Sequence, residues 1–338
     1  MPMLDVFTGD AFSVTSLTAS INKMPFVPGQ IGKAGIFHED GVYTTSITIE
    51  ERNGQLSLVG SSPRGGAGET VDKEQRKARM FAIPHYQRDD AVLADEVQNV
   101  RAFGSEGGVM EVQELVDSRM AKHTMALDAT LEHQRVGATK GLVVDKNGVV
   151  LADLYGQFGL VAPDPFQFTF SDPTFDLREK AFEVNVAIED ALDGDPVGEI
   201  HAFVGKGFWA KMISHQSVEK TYLNWLEASA LRTGLMKEAF DFGDVIWHRY
   251  RSGKAATASV GSPFIGDNEA RFVVKGVPDL FITRFAPADY NETVNTKGLP
   301  RYAQQTLKKN NKGVDLEMQM NAISLCTRPE ALQSGTAN

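Results

Sequence analysis

The chain has 338 residues and a net charge of −10, from 34 Lys and Arg against 44 Asp and Glu. That length can bury a large core, the single cysteine, Cys326, excludes an intrachain disulfide, and the acidic balance disfavours a free-standing nucleic-acid binder, which gathers cations against phosphate. Met1 to Thr18 lacks the basic and apolar runs of a signal peptide, and no apolar run reaches the ~18 residues of a membrane span, so a protein made in a reducing cytoplasm is expected.

Residues 1–40 are broken by Pro25, Pro28, Gly29, Gly32 and Gly35 and read as an extended arm that needs a partner surface. Val42 to Ile49 is β-branched, Asn53-Gly54 is a hairpin signal, and Gln55 to Val59 would be the returning strand. A glycine-rich loop, Ser61 to Glu69, leads into the charge-rich stretch Thr70 to Arg79, and Met80 to Pro84 returns as a strand. The result is a protruding two-stranded loop. An excursion this long is uncommon inside a compact domain and usually has a task. Its alternating signs suit an arm lying across a neighbour.

Residues 88–103 predict a helix broken by the Gly104 to Gly108 cluster. Residues 109–136 carry the strongest periodicity, with Val112, Val116, Met120, His123, Leu127 and Leu131 at three- and four-residue spacing. At 1.5 Å per residue this helix would be roughly 42 Å long, with Gly137 as its stop. A hairpin through Asp145-Lys146-Asn147-Gly148 follows, and Pro163 and Pro165 mark a passage between domains. A helix is expected over 176–193, with Leu177, Ala181, Val184, Ile188 and Leu192 on one face, then a strand over 200–204 and helices near 206–214 and 216–231. The remainder reads as β-rich over 240–251, 270–275, 280–285, 300–309 and 313–326, with a frayed tail from Pro329. The class is α+β.

The chemical motifs fail when tested. No Gly-Lys-Ser/Thr follows the glycine-rich loop, so it is not a phosphate cradle of the Walker type. The residue eleven after Asp145 is Gly156 and not the glutamate of a calcium loop. The seven histidines lack helical zinc spacing, and no nucleophile elbow is present. His123 reads as a satisfied core histidine, Cys326 as a small core residue, and Trp209, Trp225 and Trp247 as core. Lys308, Lys309 and Lys312 read as a solvated hairpin tip. No catalytic, cofactor-binding or metal-ligating residue is expected.

The order of elements is similar to the Hong Kong 97-type fold of tailed-phage major capsid proteins. More narrowly, the chain resembles the lambda major capsid protein family. The resemblance is carried by Phe81-Ala82-Ile83-Pro84-His85-Tyr86 into Asp90-Ala91-Val92-Leu93, and by Glu96 to Gly104. It continues in Gly298-Leu299-Pro300-Arg301-Tyr302-Ala303, Gln319-Met320-Asn321 and Thr327 to Leu332. It covers essentially the whole chain through patterns that are not chemically diagnostic.

The resemblance implies an N-terminal arm over 1–40 and an extended loop over 41–86 that reaches across an adjacent subunit. It implies a peripheral domain over 87–164 with a spine helix at 109–136, an axial domain over 165–290, and a return to the peripheral domain over 291–338. The contact residues of the loop would be Arg64, Glu69, Asp72, Lys73, Glu74, Arg76, Lys77 and Arg79. Lys73 or Lys77 is the candidate should subunits be covalently welded as in some relatives. The implied partners are further copies in hexamers and pentamers, a scaffold, a decoration protein and a portal at one vertex. The implied place is the virion, around DNA held without sequence-specific contacts, after assembly in the host cytoplasm. A cellular nanocompartment shell and an α/β enzyme with an unrecognised site are the competing readings.

Overall fold

The computed structural model describes residues 29–52, 76–94, 96, 108–219, 239–253, 257, 260–309 and 312–338. The amino-terminal elements are α1 (Gln30–Ala34), β1 (His38–Gly41), β2 (Ser46–Arg52), β3 (Arg76–Ala82) and β4 (His85–Leu93). The long helix α2 (Gly108–Lys140) follows, then β5 (Leu142–Val144), β6 (Val150–Asp153) and α3 (Leu154–Phe158). Next come β7 (Phe166–Phe168), α4 (Leu177–Leu192), β8 (Glu199–Val204), α5 (Lys206–Ser214), β9 (Ala239–Phe242) and β10 (Val245–Arg249). The chain finishes with β11 (Glu269–Lys275), β12 (Phe281–Phe285), β13 (Tyr302–Leu307), β14 (Gly313–Cys326) and β15 (Gln333–Ala337).

Two sheets organise these elements. One has the order β7-β15-β11-β8-β10-β9. In the other, β14 is the axis: its first half lies between β13 and β4, its second half pairs with β12, and β1 adds parallel to β12. The alternation in β14 works as read, with Leu316, Met318, Met320 and Ala322 buried against Val116, Met120, Leu127 and Leu131 of α2. The five predicted apolar positions of α4 are all buried. Trp209 and Trp247 are core, while Trp225 lies outside the described residues.

Several expectations are corrected. Residues 29–41 are not an arm: Ile31 is fully buried, and β1 is a strand of the sheet. Residues 1–28 lie outside the described residues, as do Asn53-Gly54 and Gln55 to Val59. β2 pairs antiparallel with β3 in seven matched positions, from Ser46 opposite Ala82 to Arg52 opposite Arg76. The start of the helix expected at 88–103 is strand β4, because β14 offers partners from His85 to Leu93 and a ladder of that length overrides a helical spacing.

Helix α2 runs past Gly137 to Lys140, 33 residues or about 50 Å. Gly137 is needed for another reason. A Cβ there would stand 2.9 Å from the Leu142 carbonyl oxygen, where β5 folds back on the helix. Gly141, with φ +77°, makes the turn instead. The stretch 240–251 is a hairpin, turned at Gly243 and Asp244, both with positive φ. The helix read at 216–231 is described only over 216–219. The tail is not frayed: β15 is buried between β7 and β11. β12 and β15 thus each join the sheet on the other side of residue 290.

Candidate assembly interface

The ribbon β2–β3 begins on the body with Ile47 opposite Phe81, both buried. Its next pairs are Thr48 with Met80 and Ile49 with Arg79. Met80 is 71% exposed. At ~3.4 Å per residue the seven pairs extend about 20 Å. The ribbon therefore has an apolar root, and its far end opens into residues 53–75.

Of the contact residues expected from sequence, Arg64, Glu69, Asp72, Lys73 and Glu74 lie outside the described residues. Arg76 and Lys77 stand on β3, their side chains likewise outside. Arg79 is placed, and it turns to its own chain. Its Nε donates to the Gln157 carbonyl at 2.7 Å, and its guanidinium lies 4.3 Å from the centre of the Phe158 ring. Those residues end α3, where helix carbonyls lack internal partners and favour a cation. Arg79 is thus an anchor at the ribbon root.

A second set of groups was not legible as a site. On α2, Thr124, Asp128, Glu132, Arg135 and Thr139 are buried at spacings of four, four, three and four. Asp128 pairs with Arg301, and Arg135 with Glu39 of β1 at 2.5 Å. Glu132 accepts hydrogen bonds from the backbone N–H of Ile31 at 2.8 Å and Gly32 at 3.1 Å, and from the Tyr250 hydroxyl at 3.3 Å. Burial pushes the carboxyls of Glu132 and Asp128 above their ordinary range, against the pull of these partners. The repeat of polar residues at helical spacing was the available signal; it reads as a solvated face unless partners are known.

Elsewhere on α2, His123 Nε2 lies 2.9 Å from Asp90 of β4, and Arg119 pairs with Asp90 and Glu96. Burial raises Asp90, but the His123 and Ala91 hydrogen bonds and the Arg119 charge outweigh it and hold its carboxyl below the usual range. His123 is a satisfied histidine, as read. Asp145 Oδ1 accepts from the N–H of Asn147 and Val149, which makes 145–148 a turn. Lys308, at the β13–β14 tip, pairs with Asp315 at 2.8 Å. The Cys326 thiol is pushed up to about 12 by burial and donates to the Arg328 carbonyl at 3.3 Å, so it is a packing group. Among the described residues no cluster of three His, Cys, Asp or Glu forms, and no helix is long and apolar enough to cross a membrane.

Comparisons with known proteins show the family. The family described as Phage major capsid protein E matches residues 13–337. The chain is 29% identical to the major capsid protein of Pseudomonas phage KPP10, covering 96% of this chain and 97% of the relative. It is 25% identical to that of Salmonella phage Felix O1, with 95% of each covered. Its fold is similar to an E. coli CFT073 prophage protein described as a capsid protein, with TM-score 0.60, 10% identity and coverage of 96% and 99%. It is also similar to the capsid of Myoviridae phage XM1, with TM-score 0.53, 9% identity and 94% of each chain covered.

Proposed function

Because this chain belongs to the phage major capsid protein E family, and so is a structural subunit of the icosahedral shell of a tailed phage and not an enzyme, we propose how its parts build that shell. The β2–β3 ribbon is the root of an extended loop, about 41–86, that lies across an adjacent subunit. Arg64, Glu69, Asp72, Lys73, Glu74, Arg76 and Lys77 make polar contacts there, with Arg79 holding the root. Individual exposed ion pairs are worth at most about 1 kcal/mol. Repetition over every copy lets weak contacts set geometry while tolerating the differing angles at hexamers and pentamers.

Residues 165–290, without β12 and with β15 added, form the axial body that meets at capsomer centres, where head-to-tail contacts close into rings. Helix α2 is the spine of the peripheral body formed by 87–164 and 291–338, with β12 added and without β15, and residues 1–28 are an arm onto a neighbour. Membership of the lambda-like branch is the finer reading, supported by the sequence blocks around Pro84 and Pro300. That branch implies assembly on a scaffold, expansion on maturation, a decoration protein and a portal at one vertex. The net charge of −10 suits a wall that encloses DNA without gripping it.

The observation that carries the proposal is the anchored root, Ile47, Phe81 and Arg79, of the paired strands β2 and β3. Expression with the phage's own assembly proteins, followed by size exclusion and electron microscopy, tests it. Closed shells of one size are expected; small monodisperse species under every assembly condition would refute it.

A further inference from the structure

In the six-stranded sheet, β8 and its parallel neighbour β10 carry His201 and His248 on one face. The rings are nearly parallel, 15° apart, and His201 Nδ1 lies 2.8 Å from His248 Nε2. The same His248 ring stacks on Phe203 at 4.9 Å between centroids. At 2.8 Å one of the facing nitrogens must carry a proton and the other a lone pair. Two imidazolium rings would aim N–H at N–H, so the contact admits one charge and excludes two.

β10 and β9 are the end of the sheet, and β10 joins it through β8. We propose that the His201–His248 pair is a proton-operated joint that holds the β9–β10 hairpin to the sheet, closed while at most one ring is charged and released when both are. Among the described residues, four charged groups face the pair. Glu199 Oε2 is 3.5 Å from His201 Nε2, and Lys275 of β11 is 3.7 Å from the same carboxylate. Arg271 of β11 lies opposite Phe203 but is engaged by Glu269, and Asp241 of β9 lies opposite Ile246.

Burial, the largest influence, holds both imidazoles below their ordinary range. Glu199 opposes this at His201, and the His201 charge reinforces it at His248, which is pushed to about 4. A histidine lowered by folding contributes stability that is whole above its unfolded value near 6.5 and is lost as pH falls toward the folded value. The joint is therefore firm at neutral pH and loosens in acid. It is a property of the folded subunit and stands whether or not the axial body forms rings.

Hydrogen–deuterium exchange on the full chain, corrected for intrinsic exchange, tests the joint at pH 7 and pH 5. Protection of amides in 239–249 should fall about twentyfold more than in β11, from a histidine moved from 6.5 to about 4. His248→Gln should remove the pH step and leave β11 unchanged. Should that variant fold poorly, histidine proton resonances of the wild-type chain give a second reading, and two interacting titrations below 6.5 are expected. Equal loss of protection in β10 and β11, a step that persists in His248→Gln, or two independent titrations near 6.5 would each overturn the proposal.

Discussion

The six-stranded sheet packs around a cluster of aromatic rings, whereas along α2 the buried side chains are aliphatic chains interrupted by charges. Phe168 alone meets Phe170, Phe175, Phe208, Trp247 and Phe272 at centroid separations of 5.1 to 6.1 Å. Beside the Val116, Met120, Leu127 and Leu131 stripe, α2 buries Asp128, Glu132 and Arg135. Rings stabilise by area removed from water and impose little direction. Buried ion pairs add little net stability, yet losing one partner is costly, and they dictate which groups meet. The ring cluster around Phe168 therefore packs without dictating which groups meet, while α2 is a keyed platform. It fixes residues distant in sequence, Ile31 and Gly32, Glu39, Tyr250 and Arg301, in one arrangement.

The contrast can be tested from both sides. Phe168→Ala should have the largest effect, a loss of about 4 kcal/mol in denaturant unfolding, because five rings lose a common neighbour and cannot all collapse into the space. A loss under about 1 kcal/mol would show the ring packing to be loose. Arg301→Met should cost about 3 kcal/mol at neutral pH, since it strands Asp128 in a buried position. The pH dependence has a definite sign. Asp128 already sits above its ordinary range because of burial, and Arg301 is what pulls it down. Without Arg301 it rises further, so the neutral form prevails over a wider range and the deficit of the variant should shrink as pH falls toward 4. A deficit that grows in acid would contradict the pairing. Gly137→Ala should cost about 1–2 kcal/mol by thermal unfolding, because both near atoms, the Leu142 oxygen and the Val143 Cα, are backbone.

Much of the fold was legible where a local pattern met an ordinary environment. α4 and β14 were read correctly because their apolar period matches what they bury. β4 was not, since the nine positions it shares with β14 are supplied by a strand more than 200 residues away. The tail was misread for a similar reason: Gln333 to Ala337 is polar and small, and only β7 and β11 make it a strand. Along α2, burial of Asp128, Glu132 and Arg135 was not legible, because charge in a sequence does not disclose a buried partner. The ribbon was legible as a two-stranded loop, but its register and Arg79's anchoring role depend on partners at least 24 residues away in sequence.

The residues between β2 and β3 set the most direct measurement. Residues 53–75 should be replaced by a short glycine-serine turn, keeping β2, β3 and Arg79. The replacement should leave the circular dichroism and unfolding midpoint near those of the intact chain, because Ile47, Phe81 and Arg79 hold the root without it. Electron microscopy of the variant, expressed with the assembly proteins, should show no closed shells. Normal shells from that variant would contradict the role assigned to the ribbon.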